Sequence, residues 1–492
     1  MKRSCGILLP ISALPSPYGI GTLGKAARAF VDFLKEAGQS WWQILPVGPT
    51  SYGDSPYQSF SSYAGNPYFI DLDTLREEGL LTQEEIDAFT WGEVASRVDY
   101  EKLYNGRFSL LETATARGWA LQRPEIEVFE KENPWLADYA LFMALKRHFG
   151  MLPWTQWPEE DARLRRPKTL QKYRLLLSDD IRLFTYMQFL FFRQWKALRA
   201  YAHQNGIRIL GDLPIYVAMD SADVWAEPQF FQLDSQGAAK AVAGVPPDYF
   251  SQEGQLWGNP LYDWDKMKAD GYGWWIRRIH GAGKLYDTVR IDHFRAFESY
   301  WAVPAEAETA KSGAWKKGPG MDLLQVLLQW FPEISFVAED LGLLTSAVEQ
   351  LLEDSGLPGM KVLSFAFDSE EPGAYVPHNH IPNSVCYTGT HDNTPLGGWL
   401  EEADPKSLQR AMKYLGVKRK KDLPEAMLRA GMASVSNLFI AQMQDYLGLG
   451  AEARINTPGT PAGNWQWRLE DGMLTGALAE KLAALAARYG RM

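Results

Sequence analysis

Short apolar runs recur along the chain, several of them ending in polar residues, glycine or proline. They are CGILLP (5–10), WWQILP (41–46), IRILGDLP (207–214), TVRIDHF (288–294), SFVAEDL (335–341), KVLSFAF (361–367), SVCYTGTHD (384–392) and ARINTP (453–458). Runs of this length bounded by turn residues are strand signals. Between many of them the apolar spacing changes to that of a helix. Residues 24–37 form one such segment and close on Gly38. Ser178 is placed to cap a long one that stops before Gly206, and LTSAVEQLLEDSG follows the fifth run. Strand then helix, eight times over, predicts an α/β fold of the (β/α)8 TIM-barrel type. No helical pattern is visible between the sixth and seventh runs.

A plain barrel takes about 250 residues, and this chain has 492. The surplus predicts one catalytic barrel over 1–492 carrying large, mostly helical insertions at approximately 75–177, 220–275 and 395–450. The first insertion holds a capping box at Thr82/Glu85 and a helix start at Asn133-Pro134. The second is rich in aromatics, and the third has helical spacing.

The charge balance removes several classes of partner. A net charge of −10 and a pI near 5.4 argue against nucleic acid and anionic membrane surfaces. The one basic cluster, Lys418-Arg419-Lys420-Lys421, reads as a solvated helix end. With Cys5 and Cys386 as the only cysteines, no disulfide framework is expected, and a reducing, cytoplasmic setting fits. The N-terminal apolar run is broken by Pro10 and reads as a strand rather than a signal peptide. Aromatic residues are abundant in Gly/Pro-rich segments such as YGDSPYQSFSSY, PPDYFSQEGQLWGNPLYDW and PAGNWQW. Rings in surface loops suit ligands with flat apolar faces, and sugars have such faces.

Chemistry concentrates in TVRIDHF. With period two, Val289 and Ile291 share one face while Arg290, Asp292 and Phe294 share the other. A buried face tolerates such charges only when they are paired or used. In a barrel the C-terminal strand ends share one mouth, which gathers Asp212, Asp292, Glu339 or Asp340, and Asp392. Two explanations compete: a divalent cation site, or glycoside hydrolysis by paired carboxyls. A cation site calls for a tight ligand cluster, and the arginine beside these acids is an odd choice for one. Retaining glycoside chemistry needs one ionised carboxylate and one protonated carboxyl. Arg290 is placed to hold Asp292 ionised, and Phe336-Val337-Ala338 give the following acid an apolar setting that keeps a proton on it. Alternation does not choose between Glu339 and Asp340.

The segments GDLPIYV, RIDHFR, VAEDLG and GTHDN resemble the four signature regions of the α-amylase clan in the form used by 4-α-glucanotransferases. That group comprises the amylomaltases or disproportionating enzymes of glycoside hydrolase family 77. GILLPISALPSPYGIGTLG, WWQILPVGPTSYGDSPYQSFSSYAGNPY and PPDYFSQEGQLWGNPLYDW are similar to the same family, so the resemblance spans nearly the whole chain. It implies a retaining transfer of α-1,4-glucan to the 4-hydroxyl of an acceptor sugar. Asp292 would be the nucleophile, Glu339 the acid/base and Asp392 the stabiliser of the transition state. It further implies that Arg290, His293, His391, Tyr57, Ser55 and Asp212 bind sugar, that Tyr249, Phe250 and Trp257 cover the acceptor side, and that Asn464 completes the rim. No cofactor or metal is implied. The partners would be maltooligosaccharides, amylose, starch or glycogen-derived glucans, with glucose as acceptor.

The same three carboxyls serve a hydrolase, so an α-glucan hydrolase and a non-catalytic glucan-binding protein stand as alternatives. Transfer requires that water be kept out, a task that falls to the aromatic loop 245–259, with Gly254 allowing it to move. Tyr52, the residue considered for a second glucan site, reads as plain surface.

Overall fold

Seven of the eight runs become parallel strands of one sheet: β1 (Ser4–Leu8), β2 (Trp41–Gln43), β3 (Arg208–Leu213), β4 (Thr288–Ile291), β5 (Ser335–Ala338), β6 (Gly359–Val362) and β7 (Ser384–Tyr387). The computed structural model describes residues 2–51, 53–247, 252–342, 344–369, 373–460 and 462–492. Predicted Tyr249, Phe250 and Tyr52 lie outside the described residues. The eighth strand differs from expectation. It is β8 (Leu438–Gln442), which pairs in parallel with both β1 and β7. Residues 453–458, expected to be that strand, form the end of a 3-10 turn and an extended crossing segment instead. The run LFIAQ is buried at every position, as a strand covered on both faces must be.

The strand order is β6-β7-β8-β1-β2-β3-β4-β5, so the sheet curls until β5 faces β6. There the Ala338 N–H donates to the Pro358 carbonyl at 2.9 Å, and the Met360 N–H donates to Asp340 Oδ1 at 2.6 Å. Gly359 lets the carboxylate in, because a Cβ at that position would sit 2.4 Å from Asp340 Oδ2. The result is a nearly closed (β/α)8 barrel.

Helices pack outside it. Lys25–Glu36 follows β1, Gly273–Leu285 precedes β4, Met321–Trp330 leads into β5 and Ser346–Ser355 into β6. Between β6 and β7 the described residues hold only the 3-10 turns Leu363–Phe365 and Pro377–Asn379, which is why no helical spacing was visible there. Leu396–Glu402, Pro405–Leu415 and Leu423–Ala433 stand between β7 and β8. The basic cluster is a solvated helix start, with a 3-10 turn over Lys420–Asp422 leading into the last of these helices. No described helix is long and apolar enough to cross a membrane. Cys5 and Cys386 are both free and buried.

Between β2 and β3 lies a helical layer dominated by Tyr100–Leu121, Leu136–His148 and Ser178–Gln204. The capping box forms at Thr82 and Glu85 as the motif predicts. Ser178 does not cap: Leu177 takes that place, directly after the helix Pro167–Leu176, and no side-chain cap bond is made. Lys146, fully buried in this layer, joins it to the barrel mouth through Asp220 at 2.5 Å. A feature without warning in the hydrophobic pattern is a second, antiparallel sheet of strands Ala241–Val245, Gln255–Pro260, Ser299–Pro304 and Ala314–Lys317. It walls one side of the mouth. Gly254, at φ +69°, turns the chain there, and a Cβ would strike the Val245 carbonyl at 2.4 Å. This glycine serves a tight turn.

Asp340 is nearly inaccessible, so truncating it strands the Met360 N–H. Asp340→Ala is expected to cost about 1–3 kcal/mol of stability, read as a lowered denaturation midpoint; an unchanged midpoint would show that the seam does not depend on this bond.

Candidate active site

The strand register assembles the charges. Asp212 of β3 and Arg290 of β4 are direct partners across the parallel pair, and both side chains are almost wholly buried. One guanidinium nitrogen, Arg290 Nη1, donates to Asp212 Oδ1 and Oδ2 at 2.8 Å each and to Asp292 Oδ1 at 2.9 Å. The cation that these carboxylates share is therefore Arg290. Val289 and Ile291 face the core, as the alternation predicts. Phe294 does not share the mouth face with Arg290 and Asp292: the strand ends at Ile291, His293 turns the chain at φ +49°, and Phe294 is buried in a 3-10 turn. A left-handed histidine is uncommon, and such backbone clusters at sites where the surroundings enforce it.

That turn aims the next acid. The His293 N–H donates to Glu339 Oε2 at 2.7 Å and the Leu341 N–H donates to Oε1 at 3.0 Å. Glu339 thus sits beside Asp292 at the end of β5, while Asp340 points the other way into the β5–β6 seam. These contacts turn Glu339, and not Asp340, toward the side of the barrel mouth where Asp292 lies.

Burial raises both Asp292 and Glu339 above the usual carboxylate range. For Asp292, Arg290 opposes this, and Asp212, Glu339 and Asp392 add to it. Burial works against the expectation that Arg290 holds Asp292 ionised. The arginine does lower it, but its charge is divided with Asp212 and burial is the larger effect. Burial therefore favours a proton on this pair of carboxyls, with Arg290 opposing it. Glu339 follows the apolar setting anticipated for it, with Phe336, Val337 and Ala338 all buried.

The opposite wall carries Tyr57, His391 and Asp392. Ser55 Oγ accepts the Tyr57 N–H at 3.3 Å and so shapes the turn that presents the ring. The Tyr57 hydroxyl donates to Asp212 Oδ2 at 2.6 Å and lies 2.9 Å from His391 Nε2. Because that hydroxyl proton goes to Asp212, the hydrogen-bond network assigns His391 its hydrogen on Nε2. Burial raises Tyr57 well above its ordinary value and lowers His391, so both stay neutral. Their rings stack at 5.2 Å. His293 is also neutral, pushed down to about 3 by burial and by Arg295. Trp257 meets the His293 ring edge-on at 4.8 Å, with Tyr216 behind it at 6.4 Å.

Asn464 lies in the loop beyond residues 451–453. Its Oδ1 accepts the Thr457 N–H at 2.9 Å, and its Nδ2 donates to Thr460 Oγ1 at 3.0 Å. It shapes the rim, and the neighbouring Trp465 makes the contact with the mouth, 5.8 Å from the Tyr57 ring and 6.0 Å from His391. Sequence reasoning missed Trp465, Tyr216, Arg454 and Asn456; PAGNWQW was noted for its aromatics, and that was the one available signal.

Comparisons with known proteins point to one family. The sequence matches the family described as 4-alpha-glucanotransferase over residues 9–475. It is 48% identical to a 4-alpha-glucanotransferase of Streptococcus pneumoniae, over all of this chain and 98% of that one. It is also 48% identical to one from Thermus thermophilus, over the full length of both. An amylomaltase from Streptococcus agalactiae, solved in complex with acarbose, superposes with a TM-score of 0.97 at 40% identity over 100% of both chains. With the family matched over nearly all of its length, and relatives at this identity covered end to end, the chain belongs to the 4-alpha-glucanotransferase family.

Proposed function

We propose that this chain cleaves α-1,4-glucosidic bonds in maltooligosaccharides and longer glucans and passes the glucan to the 4-hydroxyl of glucose or another glucan. The observation that carries the assignment of roles is Arg290, which ties Asp212 and Asp292 together beside Glu339. Asp292 lies 2.9 Å from the guanidinium, which biases the shared proton toward Glu339. Glu339 then protonates the glycosidic oxygen as the bond breaks, and Asp292 Oδ attacks the anomeric carbon to give a covalent glycosyl ester. The ionised Glu339 next takes the proton from the acceptor 4-hydroxyl, whose oxygen attacks the anomeric carbon on the side the leaving group left, opposite Asp292, and releases its carboxylate. Configuration is retained after two inversions.

Asp392 faces the developing oxocarbenium charge, and His293 and His391, both neutral, contact sugar hydroxyls without adding positive charge against it. Asp212, already occupied by Arg290 and Tyr57, binds beside the sugar. Trp257, edge-on to His293, supports an apolar wall on the acceptor side that disfavours water as acceptor.

Incubation with maltotriose in the presence of chelator is expected to give glucose and a ladder of longer maltooligosaccharides at constant total reducing ends. Shorter products with rising reducing ends would make the enzyme a hydrolase. Glu339→Gln is expected to lower kcat by at least about 100-fold with glucan binding retained; undiminished turnover would remove Glu339 from the acid/base role. The proton on the carboxyl pair sits on groups raised by burial. It is present at low pH and is lost only as pH rises through that raised value. The alkaline limb of kcat/KM is therefore expected above the ordinary carboxylate range, and a limb inside that range would contradict the burial argument.

A further inference from the structure

Asp392 is held by a segment that the family signatures do not include. Asn456 Nδ2 donates to Asp392 Oδ1 at 2.6 Å. Arg454 Nη2 donates to the Asp392 carbonyl at 2.6 Å, and Arg454 Nε donates to the Asn456 carbonyl at 2.8 Å. The Asn456 N–H in turn donates to the His391 carbonyl at 3.1 Å. Both main-chain carbonyls of the His391-Asp392 pair and one carboxylate oxygen are thereby fixed from a single short stretch. The loop of residues 390–393 is separately pinned by Asn393 Oδ1, which accepts the Thr390 N–H at 2.8 Å. Among the described residues, the hydrogen bonds at the Asp392 carboxylate end on Oδ1, with His391 Nε2 3.4 Å from the same oxygen. Oδ2 is left as the oxygen that can receive a sugar hydroxyl.

We infer that Asn456 is a positioning residue for the transfer reaction, clamping Asp392 Oδ1 so that Oδ2 is presented to the donor glucose in the transition state; this rests on the role proposed above for Asp392. An amide is suited to the position. It donates to the carboxylate without neutralising it, whereas a lysine or arginine would cancel the charge that the oxocarbenium requires. Arg454 supplies the rigidity: its guanidinium bridges Asp392 and Asn456 through their carbonyls, with Glu402 3.9 Å from Nη1 on its outer side. A side chain that orients another and touches no substrate acts mainly on kcat, because the misaligned group fails chiefly where charge develops.

Two variants separate positioning from structural support. Asn456→Leu keeps the branched side-chain skeleton and removes the donor. Its kcat for maltotriose is expected to fall by roughly 10–100-fold with KM within about threefold and the thermal midpoint close to that of the unsubstituted enzyme. Asn456→Asp places a second carboxyl against Asp392. When that pair carries a proton, an O–H replaces the lost N–H; when it does not, the two repel. The groups facing the pair are His391 and Arg454 at contact distance, with Asp292 and Tyr57 across the mouth. Asn456→Asp is therefore expected to recover much of its kcat at low pH and lose it as pH rises, while Asn456→Leu stays slow throughout. A structural role would not produce that pH-dependent rescue. An unchanged kcat in Asn456→Leu, a loss confined to KM, or a loss matching the fall in folded protein would each overturn the inference. Asp392→Asn serves as the control. If it is inactive while Asn456→Leu is not, only the positioning role fails; if it retains full turnover, the role proposed for Asp392 fails with it.

Discussion

The mouth of the barrel depends on one nitrogen atom. Arg290 Nη1 serves three carboxylate oxygens from two acids, in a place that is nearly inaccessible to solvent. Adjacent parallel strands lie about 4.8 Å apart, so register alone brings Asp212 against Arg290, and alternation returns Asp292 to the same face. Without the guanidinium, two acids would confront each other with little water between them, which is among the costliest arrangements a protein interior can hold. With it, part of that cost is offset, the guanidinium lowering Asp292 against the burial that raises it. The opposite wall is then hung from the same point: Tyr57 bonds to Asp212, His391 to Tyr57, and Asp392 lies next to His391. A polar chain of this kind orients its members more firmly than separate contacts do.

Much of this was legible in the chain, and the failures have physical causes. TVRI was readable because a strand with one charged and one apolar face has period two whatever surrounds it. The same rule misled at Phe294, where a left-handed histidine ends the alternation. The eighth strand was missed for a related reason. Hydrophobic period distinguishes extended from helical chain, but it does not say what an extended segment pairs with. The middle of residues 453–458 does run extended, but it bonds to the loop after β7, while LFIAQ, set between helix and helix, makes the barrel pair. Glu339 and Asp340 lie past the last strand residue, where side-chain direction is decided by whichever neighbour captures each one. Asp340 is captured by an amide of β6 and Glu339 by the turn after β4. Asn456 had no local signal, since an asparagine in a loop gains meaning only from the carboxylate that the fold delivers to it.

The walls around the mouth answer a different need from its floor. The helical layer and the small antiparallel sheet narrow the approach to the strand ends, and the stacked pair Tyr57–His391 and the edge-on pair Trp257–His293 leave ring faces and edges rather than open water beside the acids. Excluding water strengthens each electrostatic contact at the mouth and removes the competing acceptor in the same step.

Asn456 and Trp465 come from late in the chain, and Tyr57 comes from near its start. A ribosome making this protein releases the strands bearing Asp212, Arg290, Asp292 and Glu339 long before the segment that clamps Asp392. A nascent chain carrying all of its acids thus still lacks the piece that aligns the last of them. The mouth as described is complete only once the closing segment meets the tyrosine made hundreds of residues earlier.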